Sequence, residues 1–129
     1  GWNNAATFAR LDNDPLMGRH VFEATDMTDG QIAALTAGAR GALFPSLAEG
    51  FGLPPVESLS QGCPVICNSL EIYTEILGDY PVYAQVGDRY SWRQAIEHLT
   101  HGQDQEQAKG SGFQAPDWQS HFNAVLSRL

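Results

Sequence analysis

The chain has 129 residues, 43% of them apolar, which is one domain's worth of sequence and enough for a single core. Seven Lys and Arg against 15 Asp and Glu give a net charge of −8, which argues against nucleic acid or an anionic membrane surface as the main partner, since both select clustered positive charge. No apolar run approaches the roughly 20 residues of a membrane span, and Gly1-Trp2-Asn3-Asn4 lacks the basic and apolar regions of a signal peptide.

In chain order, Asn3 or Asn4 is placed to cap a helix from Ala5 to about Asp12, with Phe8, Ala9 and Leu11 apolar and Asp12-Asn13-Asp14-Pro15 as its breaker. His20-Val21-Phe22-Glu23-Ala24 reads as a strand. Thr28 and Gln31 form a capping box that opens a helix carrying Ile32, Ala33, Leu35, Thr36 and Ala39 on one side. Ala42-Leu43-Phe44 is a short apolar run that fits a buried parallel strand. Glu49-Gly50-Phe51-Gly52 cannot continue that strand, because two glycines permit positive φ and a close approach of backbone to a ligand. Pro54 and Pro55 then fit the first turn of a helix, where their missing N–H groups cost nothing. Val56 and Leu59 form the apolar face of this helix, and Gly62 stops it.

Pro64-Val65-Ile66-Cys67 is the next strand, followed by a loop at Asn68-Ser69. Leu70 to Leu77 is a short helix with Ile72 and Ile76 inward, closed by Gly78. Val82-Tyr83-Ala84 is a short strand, and Ser91 is placed to cap a helix through Leu99 that carries Trp92, Ala95 and Ile96. His101 to Pro116 is polar and reads as helix fragments and linker. Asp117 caps a final helix on which Trp118, Phe122, Val125, Leu126 and Leu129 make an apolar stripe. Trp92 and Trp118 are expected in the core. Short strands alternating with helices give an α/β fold with a parallel, right-handed sheet.

Cys63 and Cys67 are the only cysteines, four residues apart. On one strand they would stand roughly 13 Å apart, beyond the about 4.4–6.8 Å that a disulfide spans. They are expected as buried reduced thiols in a cytoplasmic protein. His20, His98, His101 and His121 are scattered, with no partner at metal-ligand or triad spacing, and Ser46 and Ser60 lack the Gly-x-Ser-x-Gly setting of a hydrolase nucleophile.

The chemistry lies in the two carboxylates that flank the glycine loop. Glu49 precedes the glycines, and Glu57 follows eight residues later, near the start of the helix. Free N–H groups of a first helical turn make an anion site suited to phosphate. A carboxylate offers two acceptor oxygens, which matches neighbouring hydroxyls of a sugar or ribose. A plainer reading stands beside this one. Glu57 is favoured near a helix start by the macrodipole alone, by about 0.3–1 kcal/mol. Gly50 and Gly52 serve equally as turn residues.

The Glu-x7-Glu spacing around Gly-Phe-Gly-Leu-Pro resembles the signature of the family 4 glycosyltransferases, retaining enzymes of two Rossmann-like domains in the GT-B architecture. Phe44-Pro45-Ser46, Gly62-Cys63-Pro64-Val65-Ile66, Tyr73-Thr74-Glu75-Ile76-Leu77-Gly78-Asp79 and Val86-Gly87-Asp88 stand in order where that family has similar residues. The resemblance runs over residues 21–99. It implies a Rossmann-like parallel sheet flanked by helices, and it makes residues 1–129 a single, partial nucleotide-sugar-binding domain, the incomplete C-terminal domain of a GT-B fold. Gly1-Trp2 resembles the end of the family's Gly-x-x-Gly-Trp turn, and residues 117–129 its C-terminal helix, which crosses to an acceptor-binding domain expected to be missing here.

The roles that follow are those the resemblance implies. Glu49 is the catalytic carboxylate beside the donor sugar. Gly50, Phe51, Gly52 and Leu53 meet sugar hydroxyls and phosphate through their backbone. Glu57 accepts from the ribose diol. The donor is a nucleoside diphosphate sugar taken as substrate, with no cofactor and no metal expected. The early Arg and Lys that the family sets against the pyrophosphate have no counterpart here, so activity of this chain alone is open. The alternatives are a non-catalytic module that binds a nucleotide sugar or a partner chain, and a different nucleotide-sugar enzyme, an epimerase or a phosphorylase. Neither the base, the sugar nor the acceptor is encoded legibly.

Overall fold

In a computed structural model, residues 4–101 and 112–128 are described. Gly1-Trp2, most of the polar stretch after His101, and Leu129 lie outside them.

The sheet is the organising element. Strands β1 (Ala42–Phe44), β2 (Val65–Cys67) and β3 (Val82–Tyr83) run parallel in the order β1-β2-β3. Ala42 pairs with Val65, Phe44 with Cys67, and Ile66 with Val82. Parallel neighbours need crossover connections, usually helical, and these are α3 (Leu53–Ser60) and α4 (Glu71–Leu77). The central strand is buried along its whole length. Val65 and Cys67 alternate to one face, where they cluster with Val56 and Leu59 of α3 and Tyr73 and Leu77 of α4. Ile66 points to the other face and is equally buried. That requires a second helical layer, and α5 (Arg89–His101) packs against β2. The Rossmann-like α/β arrangement expected from the sequence is present.

Local chemistry explains most element ends. Helix α1 (Ala5–Asp12) has the expected span, and helix α2 (Asp29–Gly38) opens where expected and ends one residue before Ala39, which is extended. In α2 the capping box forms on both sides, with the Thr28 hydroxyl accepting from the Gln31 amide and the Thr28 amide donating to Gln31 Oε1 at 2.9 Å. Asp117 caps α6 (Trp118–Leu126) by accepting the Ser120 amide at 2.6 Å. Gly62 takes φ +75° just past the end of α3, a left-handed position that glycine occupies without strain.

Five expectations are corrected. Residues 20–24 form no strand. Instead the Val21 amide donates to Leu16 O and the Val21 carbonyl accepts from the Gly18 amide, so a local turn consumes the groups a ladder would need. Asn4 precedes α1 in a helical conformation with no side-chain cap bond. Helix α5 is capped by Asp88, which accepts from both the amide and the hydroxyl of Ser91, so Ser91 lies inside the helix. On α4 the fully buried residues are Tyr73 and Leu77, with Ile72 and Ile76 only partly covered. Trp118 is not core but 75% exposed, and Phe122 and Leu126 beside it are exposed too.

Candidate functional site

The candidate site lies at the carboxyl ends of the strands, where open α/β sheets bind ligands. Strand β1 ends at Phe44, and the chain turns through Pro45-Ser46 into the loop that carries Glu49. That loop is anchored from the central strand. Asn68, at the end of β2 and nearly buried, donates from Nδ2 to the Ser46 carbonyl at 2.9 Å. Its Oδ1 accepts the Val86 amide at 3.1 Å, beyond the end of β3. One amide side chain therefore ties together the loops that follow all three strands. Sequence reading treated Asn68 as an ordinary loop residue. The available signal was a single amide directly after a wholly apolar strand.

Gly52 closes the loop and caps α3 in a left-handed conformation, φ +80°. It is buried, and a side chain there would collide with Tyr73: an added Cβ would stand 2.5 Å from Tyr73 Cε1. Gly50 differs, since a Cβ there would meet nothing within 4 Å. Of the two loop glycines, Gly52 is therefore required by the fold, whereas Gly50 faces open space.

The start of α3 offers fewer donors than the sequence suggested. Leu53, Pro54 and Pro55 occupy its first turn, and neither proline has an N–H. That leaves the amide of Leu53, after the capping Gly52, a narrower anion site than a proline-free helix start would present. Pro55, Val56, Ser58 and Leu59 are buried against the sheet, and Leu53 and Glu57, one turn apart, lie on the exposed face. Because Cα–Cβ bonds tilt toward a helix N-terminus, Glu57 leans back toward Leu53 and the loop. Glu49, Phe51 and Glu57 are all exposed.

Beneath the loop lies a residue that sequence reading missed as a site element. Tyr73 is the largest fully buried side chain among the described residues, and its hydroxyl has no hydrogen-bond partner. Burial pushes the phenol above its ordinary value. The Ser46 hydroxyl opposes that shift, and the Glu49 carboxylate reinforces it. Both residues belong to the glycine loop, whose closing Gly52 lies against the same ring.

A separate open hollow of about 330 Å³, between Glu75, Ile76, Gly78, Tyr80 and Phe113, lies at the far end of α4 and not at the glycine loop. Glu75 is its one carboxylate.

The sequence pattern described for "Glycosyl transferases group 1" matches residues 2–111. The chain belongs to this family. The match spans the glycine loop, both carboxylates and all three strands of this glycosyl transferase domain. Among characterised relatives, the O-antigen chain mannosyltransferase RfbU of Salmonella typhimurium is 28% identical over 103 residues, 80% of this chain and 26% of that protein. The serotype-specific mannosyltransferase WbdA of Escherichia coli is 31% identical over 83 residues, 64% of this chain and 10% of that protein. An MMP alpha-(1->4)-mannosyltransferase of Mycolicibacterium hassiacum is 38% identical over 58 residues, 45% of this chain and 14% of that protein. The chain thus spans about a quarter or less of the length of these relatives. No solved structure matches it. Among the described residues, no helix is long and apolar enough to cross a membrane.

Proposed function

We propose that this chain is the donor-binding part of a retaining glycosyltransferase that moves a sugar from a nucleoside diphosphate to an acceptor. The observation that carries the reading is the loop at the end of β1. It bears Glu49, it ends at the amides of Gly52 and Leu53, and Glu57 stands one turn beyond on the exposed face of α3. Glu49 lies beside the donor sugar and supports positive charge developing at the anomeric carbon. The backbone of Gly50, Phe51, Gly52 and Leu53 meets sugar hydroxyls and phosphate. Glu57 accepts from the ribose diol.

Departure of the nucleoside diphosphate builds negative charge at the helix start, and fixed N–H dipoles aimed there stabilise it without reorganising. The reaction runs without a bound metal in this reading, so chelation leaves transfer unchanged, and loss of transfer on chelation would remove that part. Because the relatives named above are mannosyltransferases, mannose is the sugar to test first. The exposed stripe of Trp118, Phe122 and Leu126 packs against an acceptor-binding domain or partner chain. The setting is cytoplasmic, which fits two buried, unpaired thiols.

A second reading, binding without catalysis, is favoured by one observation: no Lys, Arg or His stands between residues 41 and 88, so the described strand-and-loop region supplies no cation for a pyrophosphate. Guanosine, uridine and adenosine diphosphate mannose, titrated calorimetrically into the full polypeptide that carries these residues, separate the cases. Binding that weakens in Glu57→Ala, with transfer that disappears in Glu49→Ala, supports the enzyme. Binding without transfer supports the module, and binding unchanged in Glu57→Ala removes the ribose role.

A further inference from the structure

We infer that Tyr73 is a positioning residue for Glu49: its buried hydroxyl is the donor that fixes the Glu49 carboxylate when a donor sugar occupies the loop. The inference rests on the reading of Glu49 given above and adds to it a residue outside the Glu-x7-Glu segment.

The argument begins with an orphan. Tyr73 is 1% exposed, and its hydroxyl has no hydrogen-bond partner among the described residues. Buried hydroxyls are nearly always paired, and an unpaired one calls for an explanation. A phenylalanine would fill the same volume without that cost, so packing accounts for the ring and not for the oxygen.

The ring is held firmly. It lies under Gly52, where even a methyl group would collide with Cε1. The backbone behind it is held too, because the Tyr83 hydroxyl shares its one proton between the carbonyls of Gly78 at 2.7 Å and Tyr73 at 3.1 Å. The hydroxyl therefore has a set position.

The groups close enough to perturb it are the Ser46 hydroxyl and the Glu49 carboxylate of the glycine loop, whose closing Gly52 lies against the ring, and the Cys67 thiol of β2. Cys67 is fully buried, and burial pushes its thiol up to about 12, so it stays neutral. Ser46 belongs to the stretch that Asn68 anchors through its carbonyl. Glu49 is exposed and makes no ion pair among the described residues. It is the facing group that is both charged and free to settle. A phenol donating to a carboxylate makes a short, charge-assisted hydrogen bond. Forming it satisfies the orphan and restricts Glu49 to one rotamer at the sugar.

The test uses Y73F and E49Q in the full polypeptide, assayed for transfer from guanosine diphosphate mannose or whichever nucleoside diphosphate mannose proves to be the donor. The expected Y73F protein melts no lower than the parent. Its KM for donor stays within about twofold, and its kcat falls about 10-fold to 100-fold, the range for a hydrogen bond to a charged group. Normal kcat in Y73F, with transfer lost in E49Q, overturns the role of Tyr73 and leaves that of Glu49 standing. Normal transfer by E49Q overturns the reading of Glu49 itself. A Y73F protein that melts lower, with kcat intact, assigns the hydroxyl to folding and overturns the inference.

Discussion

Gly52 and Tyr73 are in contact through the one place in the glycine loop where no side chain fits: a Cβ on Gly52 would stand 2.5 Å from Tyr73 Cε1 and 3.0 Å from Cδ1. The contact links the loop after β1 to the helix after β2, so the fold and the candidate site share it. Gly52→Ala meets that collision together with a positive φ that alanine adopts only at a cost. The expected loss is about 2–5 kcal/mol, the sum of a left-handed backbone and an overpacked core. Denaturant midpoints measure it. Gly50→Ala, facing open space, is expected to move stability by less than about 0.5 kcal/mol. A comparable loss in both variants would show that the collision does not limit the loop.

Asn68 carries the second prediction. Asn68→Ala leaves the Ser46 carbonyl and the Val86 amide without their partners, and both lie at the rim of the site. The expected cost is about 2–3 kcal/mol for two lost bonds near the core. Hydrogen exchange gives a local readout, with the Val86 amide losing protection ahead of the β2 amides. Uniform loss of protection would mean that Asn68 supports the whole sheet and not the rim.

The third prediction concerns alkali. Burial raises the Cys67 thiol from 9.0 to about 12 and the Tyr83 phenol from 10.0 to about 12. In that interval the folded chain keeps protons that the unfolded chain releases, so the slope of unfolding free energy with pH is negative. Stability is therefore flat below pH 9 with respect to these groups and falls between 9 and about 12. Urea midpoints at pH 8, 9.5 and 11 measure the decline, and a flat series would place these groups in contact with water. The same burial makes both cysteines unreactive toward a thiol reagent at pH 8 until denaturant is added.

What could be read from the chain alone follows from the range of the forces involved. Caps, breakers and left-handed glycines act over three or four residues, so Thr28 with Gln31, Asp117, Gly62 and the prolines at the start of α3 announced their elements directly. The order strand, glycine loop, helix, strand carried the family resemblance, and the match over residues 2–111 bears it out. Where two local options competed, pattern reading did not rank them. Asp88 rather than Ser91 caps α5, and His20 and Val21 spend their amides on the Leu16 carbonyl although the composition of residues 20–24 favours a strand.

The sequence by itself determined that this is a parallel α/β domain with paired carboxylates around a glycine loop. Only the tertiary structure decided that Asn68 reaches 22 residues back to hold Ser46. Only it turned Tyr73 inward against Gly52 and left the apolar stripe of α6 exposed. The reason is physical. A helix pattern says which residues are apolar, but which of them is buried depends on the rotation at which the helix meets a sheet built from distant parts of the chain.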